Sequence, residues 1–314
     1  MKITYSVMPT VLTEPLRSGQ VKPDGLDLEV NVPKTTDANS RDMIQLKFDV
    51  AEMSVATFSK AVERGLPLVA LPVFTSGRRF VQSGFFFSAK TDVRSLDQLR
   101  GRNVGLPQYW ISSCIWQRAV LQDMYGVSPQ DVQWVSDAPE RFEGVTPPPG
   151  VKLRLETGRD LAELAGDGSI DALLMPQGPL PPALAAVTTP AFADCVTAER
   201  EYYLARGVFP IMHVTVMQRA LASDQAVVGA LLDAYSRAKK LVETRADVRW
   251  PLPPTGHDVQ ALRQLIGGDP WAYGITPNRA ALNAFLDGGA AQGLLGRRPD
   301  IDELFIQDLP EQYR

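Results

Sequence analysis

The chain has 314 residues, 45% of them hydrophobic and 22% charged, and a net charge of −4. That length suggests about two domains of ordinary size. No run approaches the roughly 18 uninterrupted apolar residues that a membrane span needs, and no basic stripe suggests nucleic acid, so neither is expected as a partner.

In chain order, residues 3–7 alternate as a first strand that begins at once, with no charged and apolar leader ahead of it. Exported proteins of this kind carry such a leader, so the expected compartment is the cytoplasm. Cys114 and Cys195, the only cysteines, fit a reducing setting. Residues 26–30 alternate as a half-buried strand, and 48–53 read as another. Ser54 then stands as the N-cap of a helix through residue 62. Residues 68–73 form a short buried strand, and the apolar run 80–88, broken by Gln82, Ser83 and Gly84, suits a strand crossing into another lobe. A strand over 102–106 leads into a helix over 111–124 closed by Gly126. Strands over 132–135 and 152–155 flank the turn Pro147-Pro148-Pro149-Gly150, with a helix over 161–164 and a strand over 170–175 beyond. Strand character returns over 208–218 as the chain crosses back. A long helix over 225–244, a proline-rich turn at 251–254 and helices over 259–265 and 279–286 complete it.

Alternating strands and helices imply α/β layers. The two crossings divide them into a discontinuous lobe, 1–84 plus 212–314, and a continuous lobe, 85–211. A double-crossover hinge of this kind leaves a ligand cleft between two α/β lobes.

Several segments carry a resemblance. The most specific are Gly207-Val208-Phe209-Pro210-Ile211-Met212-His213 and Asp269-Pro270-Trp271-Ala272-Tyr273-Gly274, followed by Asn278-Arg279. Phe48-Asp49-Val50-Ala51-Glu52-Met53-Ser54, Val104-Gly105-Leu106-Pro107-Gln108-Tyr109 with Ser112 and Trp116, Asp123-Met124-Tyr125-Gly126-Val127 and Gln292-Gly293-Leu294 support them. In this order and spacing they resemble the 4,5-dihydroxyphthalate decarboxylase family over nearly the whole chain. The resemblance implies a class II periplasmic-binding-protein-like fold and a cofactor-independent carboxy-lyase acting on a hydroxylated aromatic acid. The family's Arg-x-Phe-Arg-His stretch here reads Arg78-Arg79-Phe80-Val81-Gln82. Its arginine after the Asp-Ala strand is Gln177, and its glutamate before the Gln-Gly pair is Ala291. Three of these four changes remove a potential cation, so a substrate with fewer carboxylates than dihydroxyphthalate is expected.

Such a decarboxylation needs a cationic donor for the carboxylate and an acid for the ring carbon, and a base can assist at the phenol. His213, at the end of an apolar stretch in the returning crossover, is the candidate acid, with a hinge-bracing histidine as the bland alternative. His257, in a helix-entry turn, reads as surface. Glu52 interrupts an apolar strand, and a buried carboxylate needs a partner. It is either a base for the phenol or half of a structural pair with Arg78 or Arg79. Arg78 occupies the retained position of the family motif and is the candidate carboxylate holder. Ser112 and Ser113 open a helix whose N-terminus suits an anion or is simply capped. Ser54, Tyr109 and Gln177 join the expected site. Trp271, Tyr273 and Asn278 sit in an aromatic loop that either walls a flat ligand or packs on the core.

Metal-ligand spacing, a dinucleotide fingerprint, a Walker loop and a Gly-x-Ser-x-Gly elbow are all missing. The alternatives kept open are a solute receptor for an aromatic or heterocyclic acid and another lyase on the same fold, such as chorismate dehydratase or dihydroxynaphthoate synthase. The expected partner is a small aromatic acid, and assembly is open between monomer and homodimer.

Overall fold

The structure is a computed structural model describing residues 1–176, 178–245, 250 and 258–314. Its strands are β1 (Lys2–Ser6), β2 (Asp27–Asn31), β3 (Val50–Ser54), β4 (Leu68–Leu71), β5 (Phe85–Ser88), β6 (Asn103–Leu106), β7 (Gln133–Ser136), β8 (Lys152–Leu155), β9 (Ala172–Leu174), β10 (Thr188–Pro190) and β11 (His213–Gln218). They form two mixed sheets, ordered β2-β1-β3-β11-β4 and β10-β5-β9-β6-β7-β8. In the first, β1, β2 and β3 are parallel, and β11 runs antiparallel between β3 and β4. In the second, β5 is antiparallel to β9 and β10, while β9, β6, β7 and β8 are parallel.

Position in the sheet follows from composition. Every residue of β3 and β4 is buried: β3 is a central strand covered on both faces, and β4, at one edge of the sheet, is bridged on its open side by Phe305. At the edge, β2 alternates exposed and half-buried positions. The chain leaves the first sheet after β4 and re-enters it at β11. The two crossing segments lie side by side: Arg78 and Ile211 form an antiparallel bridge, and the Met212 amide donates to the Gly77 carbonyl at 2.9 Å. A strand and its return thus become one hinge, and the side chains of Glu52, Thr75, Ser76 and His213 meet there.

The expected crossing strand over 80–88 is shorter. Only Phe85–Ser88 is strand, because Gln82–Gly84 turns as a 3-10 segment and the Gln82 side chain takes the Val81 amide at 3.0 Å. The returning strand likewise begins at His213 rather than 208. The helix Thr36–Ile44 was not anticipated, and its inward residues explain why. They are Asn39 and Ser40 as well as Met43, so the apolar period is weak. Asn39 instead donates to the Ser6 and Glu52 carbonyls at 3.0 and 2.8 Å, and accepts from Ser6 Oγ at 2.5 Å. The helix Ser112–Tyr125 ends at Gly126 as expected. The proline-rich turn at 251–254 and His257 lie outside the described residues. Among the described residues no helix is long and apolar enough to cross a membrane.

Candidate active site

Adjacent antiparallel strands put four side chains on one face. His213 pairs with Ser54, and Thr215 with Glu52; positions two apart share a face, so Glu52 lies diagonally beside His213. Glu52 is 1% exposed, which a lone carboxylate would not tolerate. Its partners account for the burial: Thr75 Oγ1 donates to Oε2 at 2.8 Å and Ser76 Oγ to Oε1 at 2.5 Å. His213 Nδ1 stands 3.3 Å from Oε1 and 2.7 Å from Ser76 Oγ. Behind the carboxylate the wall is aromatic, with Tyr5 and Tyr235 in edge contact at 6.2 Å. Burial raises the pKa of both phenols, and the nearby Glu52 charge adds to the rise. Nδ1 is therefore committed to the Glu52–Ser76 side, while Nε2 makes no hydrogen bond among the described residues.

Gly77 makes this contact feasible. Its φ is +64°, and a Cβ there would lie 2.8 Å from Nδ1 of His213. Any other residue would be strained and would displace the imidazole.

His213 borders a cleft of about 420 Å³, lined also by Asp37, Ser54, Arg79, Ser113 and Arg141. Two helices begin at its floor. Ser54 caps the helix Val55–Glu63, and Ser112 opens the helix Ser112–Tyr125. The two hydroxyls touch at 2.9 Å, and Ser112 Oγ takes the Ala56 amide at 3.1 Å. Two positive helix ends and Arg79 favour anions in the cleft, while Asp37 offsets the charge of Arg141. Burial lowers the pKa of both Arg79 and Arg141, Asp37 opposing this for Arg141.

Comparison with known proteins decides the family. The chain is 32% identical over 316 residues to a 4,5-dihydroxyphthalate decarboxylase of Comamonas testosteroni, covering 96% of this chain and 94% of the relative. The chain belongs to the 4,5-dihydroxyphthalate decarboxylase family. As a member it is a decarboxylase, a carboxy-lyase by reaction class. A second 4,5-dihydroxyphthalate decarboxylase, from Pseudomonas putida, is 26% identical over 186 residues, covering 57% of this chain and 72% of the relative. No family model matches the chain. Solved structures similar in fold include periplasmic binding proteins. The aliphatic sulphonate binding protein SsuA of Escherichia coli superposes with a TM-score of 0.56 at 12% identity, covering 98% of this chain and 92% of that one. A putative sulfonate-binding SsuA of Methylobacillus flagellatus gives 0.55 at 11% identity, covering 97% and 91%. The decarboxylase therefore has the two-lobed periplasmic-binding-protein-like fold.

In this family member the expected site residues fall into two groups. His213, Ser54, Ser112 and Ser113 line the cleft, and Glu52 stands directly behind His213. Glu52 is not part of the cleft wall, and it meets the His213 imidazole. Arg78 is not brought to the cleft. It is 5% exposed, between Phe209 at 5.0 Å and Phe74 at 5.8 Å, with Nη1 donating to Asn278 Oδ1 at 2.6 Å. The neighbouring Arg79 lines the cleft instead. Tyr109 is fully buried under the Arg118 guanidinium, 3.6 Å from its ring centre. Trp271 stacks on Trp250 at 4.7 Å, and Tyr273 meets Lys239 at 4.9 Å and Tyr235 at 6.4 Å. Asn278 holds the Ala272 and Gly274 carbonyls, both at 2.8 Å. These aromatic and amide groups build the core and hinge rather than wall a ligand. Gln177 lies outside the described residues.

Sequence reasoning overlooked Thr75, Ser76, Gly77, Asp37 and Arg141. Ser76-Gly77 beside an arginine pair was visible as a turn. Nothing local marked Arg141, whose neighbours are loop residues.

Proposed function

We propose that the protein decarboxylates a hydroxylated aromatic carboxylic acid without a cofactor, with His213 as the proton donor and Arg79 as the carboxylate holder. The observation that carries this reading is the buried Glu52 against Nδ1 of a cleft-lining histidine. A carboxylate there keeps the imidazole oriented, leaving Nε2 to face a ligand. Arg79 and the two helix ends hold the carboxylate. A ring hydroxyl raises electron density at the carbon bearing the carboxylate. The Nε2 proton then forms a C–H bond at that carbon. The bond to the carboxylate breaks, its electron pair restores the aromatic ring, and carbon dioxide departs. Neutral His213 regains a proton from water, so each turnover consumes one solvent proton. Glu52 acts through the imidazole as a positioning residue and does not touch the phenol.

Purified protein incubated with a panel of hydroxylated benzoates and phthalates should release carbon dioxide from at least one. Silence across mono- and dicarboxylates alike contradicts the proposal. The likeness to sulfonate-binding proteins, at 12% identity, is one of fold. Tight retention of an aromatic acid recovered unchanged would be the signature of binding without chemistry. A cytoplasmic setting goes with the first reading, and Cys114 and Cys195 as free thiols support it.

A further inference from the structure

The cleft carries a charge pair that the decarboxylation itself does not use. Arg141 belongs to the loop between β7 and β8, in the second lobe, yet its guanidinium reaches the first. Its Nε sits against Asp37 Oδ1 as an ion pair, off the line of an ideal hydrogen bond, and its Nη1 donates to Thr57 Oγ1 at 2.5 Å. Asp37 lies in the first turn of the helix Thr36–Ile44 and also pairs with Arg41. Both Asp37 and Arg141 line the cleft, with side chains 27% and 17% exposed.

The loop is built to hold Arg141 in place. The carboxylate of Glu140 takes the Tyr109 amide and, at 3.4 Å, the Trp110 amide, both just ahead of the Ser112 helix. Arg64 donates to the Glu143 carbonyl at 2.7 Å. Farther along, the loop presses on Gly293, where a Cβ would lie 2.9 Å from Pro148 and 3.0 Å from the Thr146 carbonyl. A side chain pinned from both lobes is placed, not solvated at random.

We propose that Asp37 is an internal stand-in for a second substrate carboxylate and sets how many carboxylates the site accepts. An arginine in a cleft is the natural holder of a carboxylate. Here the protein supplies that carboxylate itself. A monocarboxylate meets a cleft whose Arg141 is already neutralised, whereas a dicarboxylate brings a second anion against Asp37. Like charges at short range discriminate by repulsion, which is how specificity is often built. The inference rests on the decarboxylase reading for the class of ligand, and it names Asp37 and Arg141 as specificity-determining residues.

The test uses 3,4-dihydroxybenzoate and 4,5-dihydroxyphthalate, a pair differing by one carboxylate, with affinities measured by calorimetry on the full chain. In the Asp37→Asn variant, affinity for the phthalate relative to the benzoate should rise at least about tenfold over the parent. Arg141→Gln should weaken both acids by leaving Asp37 without its cleft partner. The double variant should return the ratio to within about twofold of the parent. A ratio unmoved by Asp37→Asn in a variant with the parent's melting temperature overturns the inference. So does a double variant that keeps the raised ratio. Affinities are read whether or not carbon dioxide is released. Failed turnover with a shifted ratio therefore counts against the decarboxylation reading alone, and turnover with an unmoved ratio against Asp37 alone.

Discussion

At the scale of single residues, the proposed site turns on how Glu52 is partnered in the interior. Two hydroxyl donors and an imidazole replace the water it loses, so the carboxylate can be 1% exposed beside His213. Replacing it by glutamine keeps the shape but gives Thr75, Ser76 and Nδ1 a neutral partner. Glu52→Gln should lower kcat at least about tenfold, about 1.4 kcal/mol of barrier, with KM little changed. A rise in KM at constant kcat would instead place Glu52 in ligand binding. The cysteines allow a second residue-level prediction. Burial pushes the Cys114 thiol up to about 12 and Cys195 up to about 11. A raised thiol pKa means the neutral form persists up to those values, so at pH 8 only about one Cys195 in a thousand is thiolate, and fewer at Cys114. Iodoacetamide at pH 8 should label neither in the native protein, while denaturation should expose both. Rapid native labelling of Cys114 would contradict its burial.

At the scale of elements, the paired crossovers position everything else. Arg78 braces them from within. Burial pushes its pKa down to about 9, which still leaves it charged at neutral pH. Its cation lies against Phe209 and Phe74, and its hydrogen bond fixes Asn278, which in turn holds the loop carbonyls of Ala272 and Gly274. Arg78→Ala removes the cation–π contacts and leaves a buried amide oxygen short of a donor. The expected loss in urea unfolding is about 2–4 kcal/mol. A loss below about 0.5 kcal/mol would show that the bracing is not needed. The same elements mark what was legible beforehand. Ser54 as a helix cap, Gly126 as a helix stop and the double crossing could be read because caps, glycines and apolar runs are local signals. Which arginine of the Arg78-Arg79 pair faces the cleft could not, since that depends on the bridge between Arg78 and Ile211, residues 133 apart. The helix Thr36–Ile44 was hidden because hydrogen-bonded Asn39 and Ser40 stand where a core would usually place apolar side chains. Arg141 was hidden for a related reason: its partners, Asp37 and Thr57, come from the other lobe.

At the scale of the whole molecule, two lobes meet on polar contacts that few sequence patterns disclose. Gln292, from the first lobe, accepts from Arg118 Nε at 2.7 Å, donates to the Ile115 carbonyl at 3.1 Å, and through its own carbonyl holds Trp110 Nε1 at 2.9 Å. This pin and the Arg141–Asp37 pair tie residues 101–155 to the rest of the chain, and the cleft beside His213 is lined by groups from both crossings. Enclosure of that kind raises the strength of every charge inside it. In the proposed reaction His213 gives the vacated ring carbon its proton. Turnover of a hydroxylated benzoate in deuterated water, followed by NMR of the product, measures this most directly. The account predicts one deuterium at the carbon that lost its carboxylate, and a rate falling about 10²–10⁴-fold in His213→Ala with binding retained. Undiminished deuterium incorporation and turnover in that variant would contradict it.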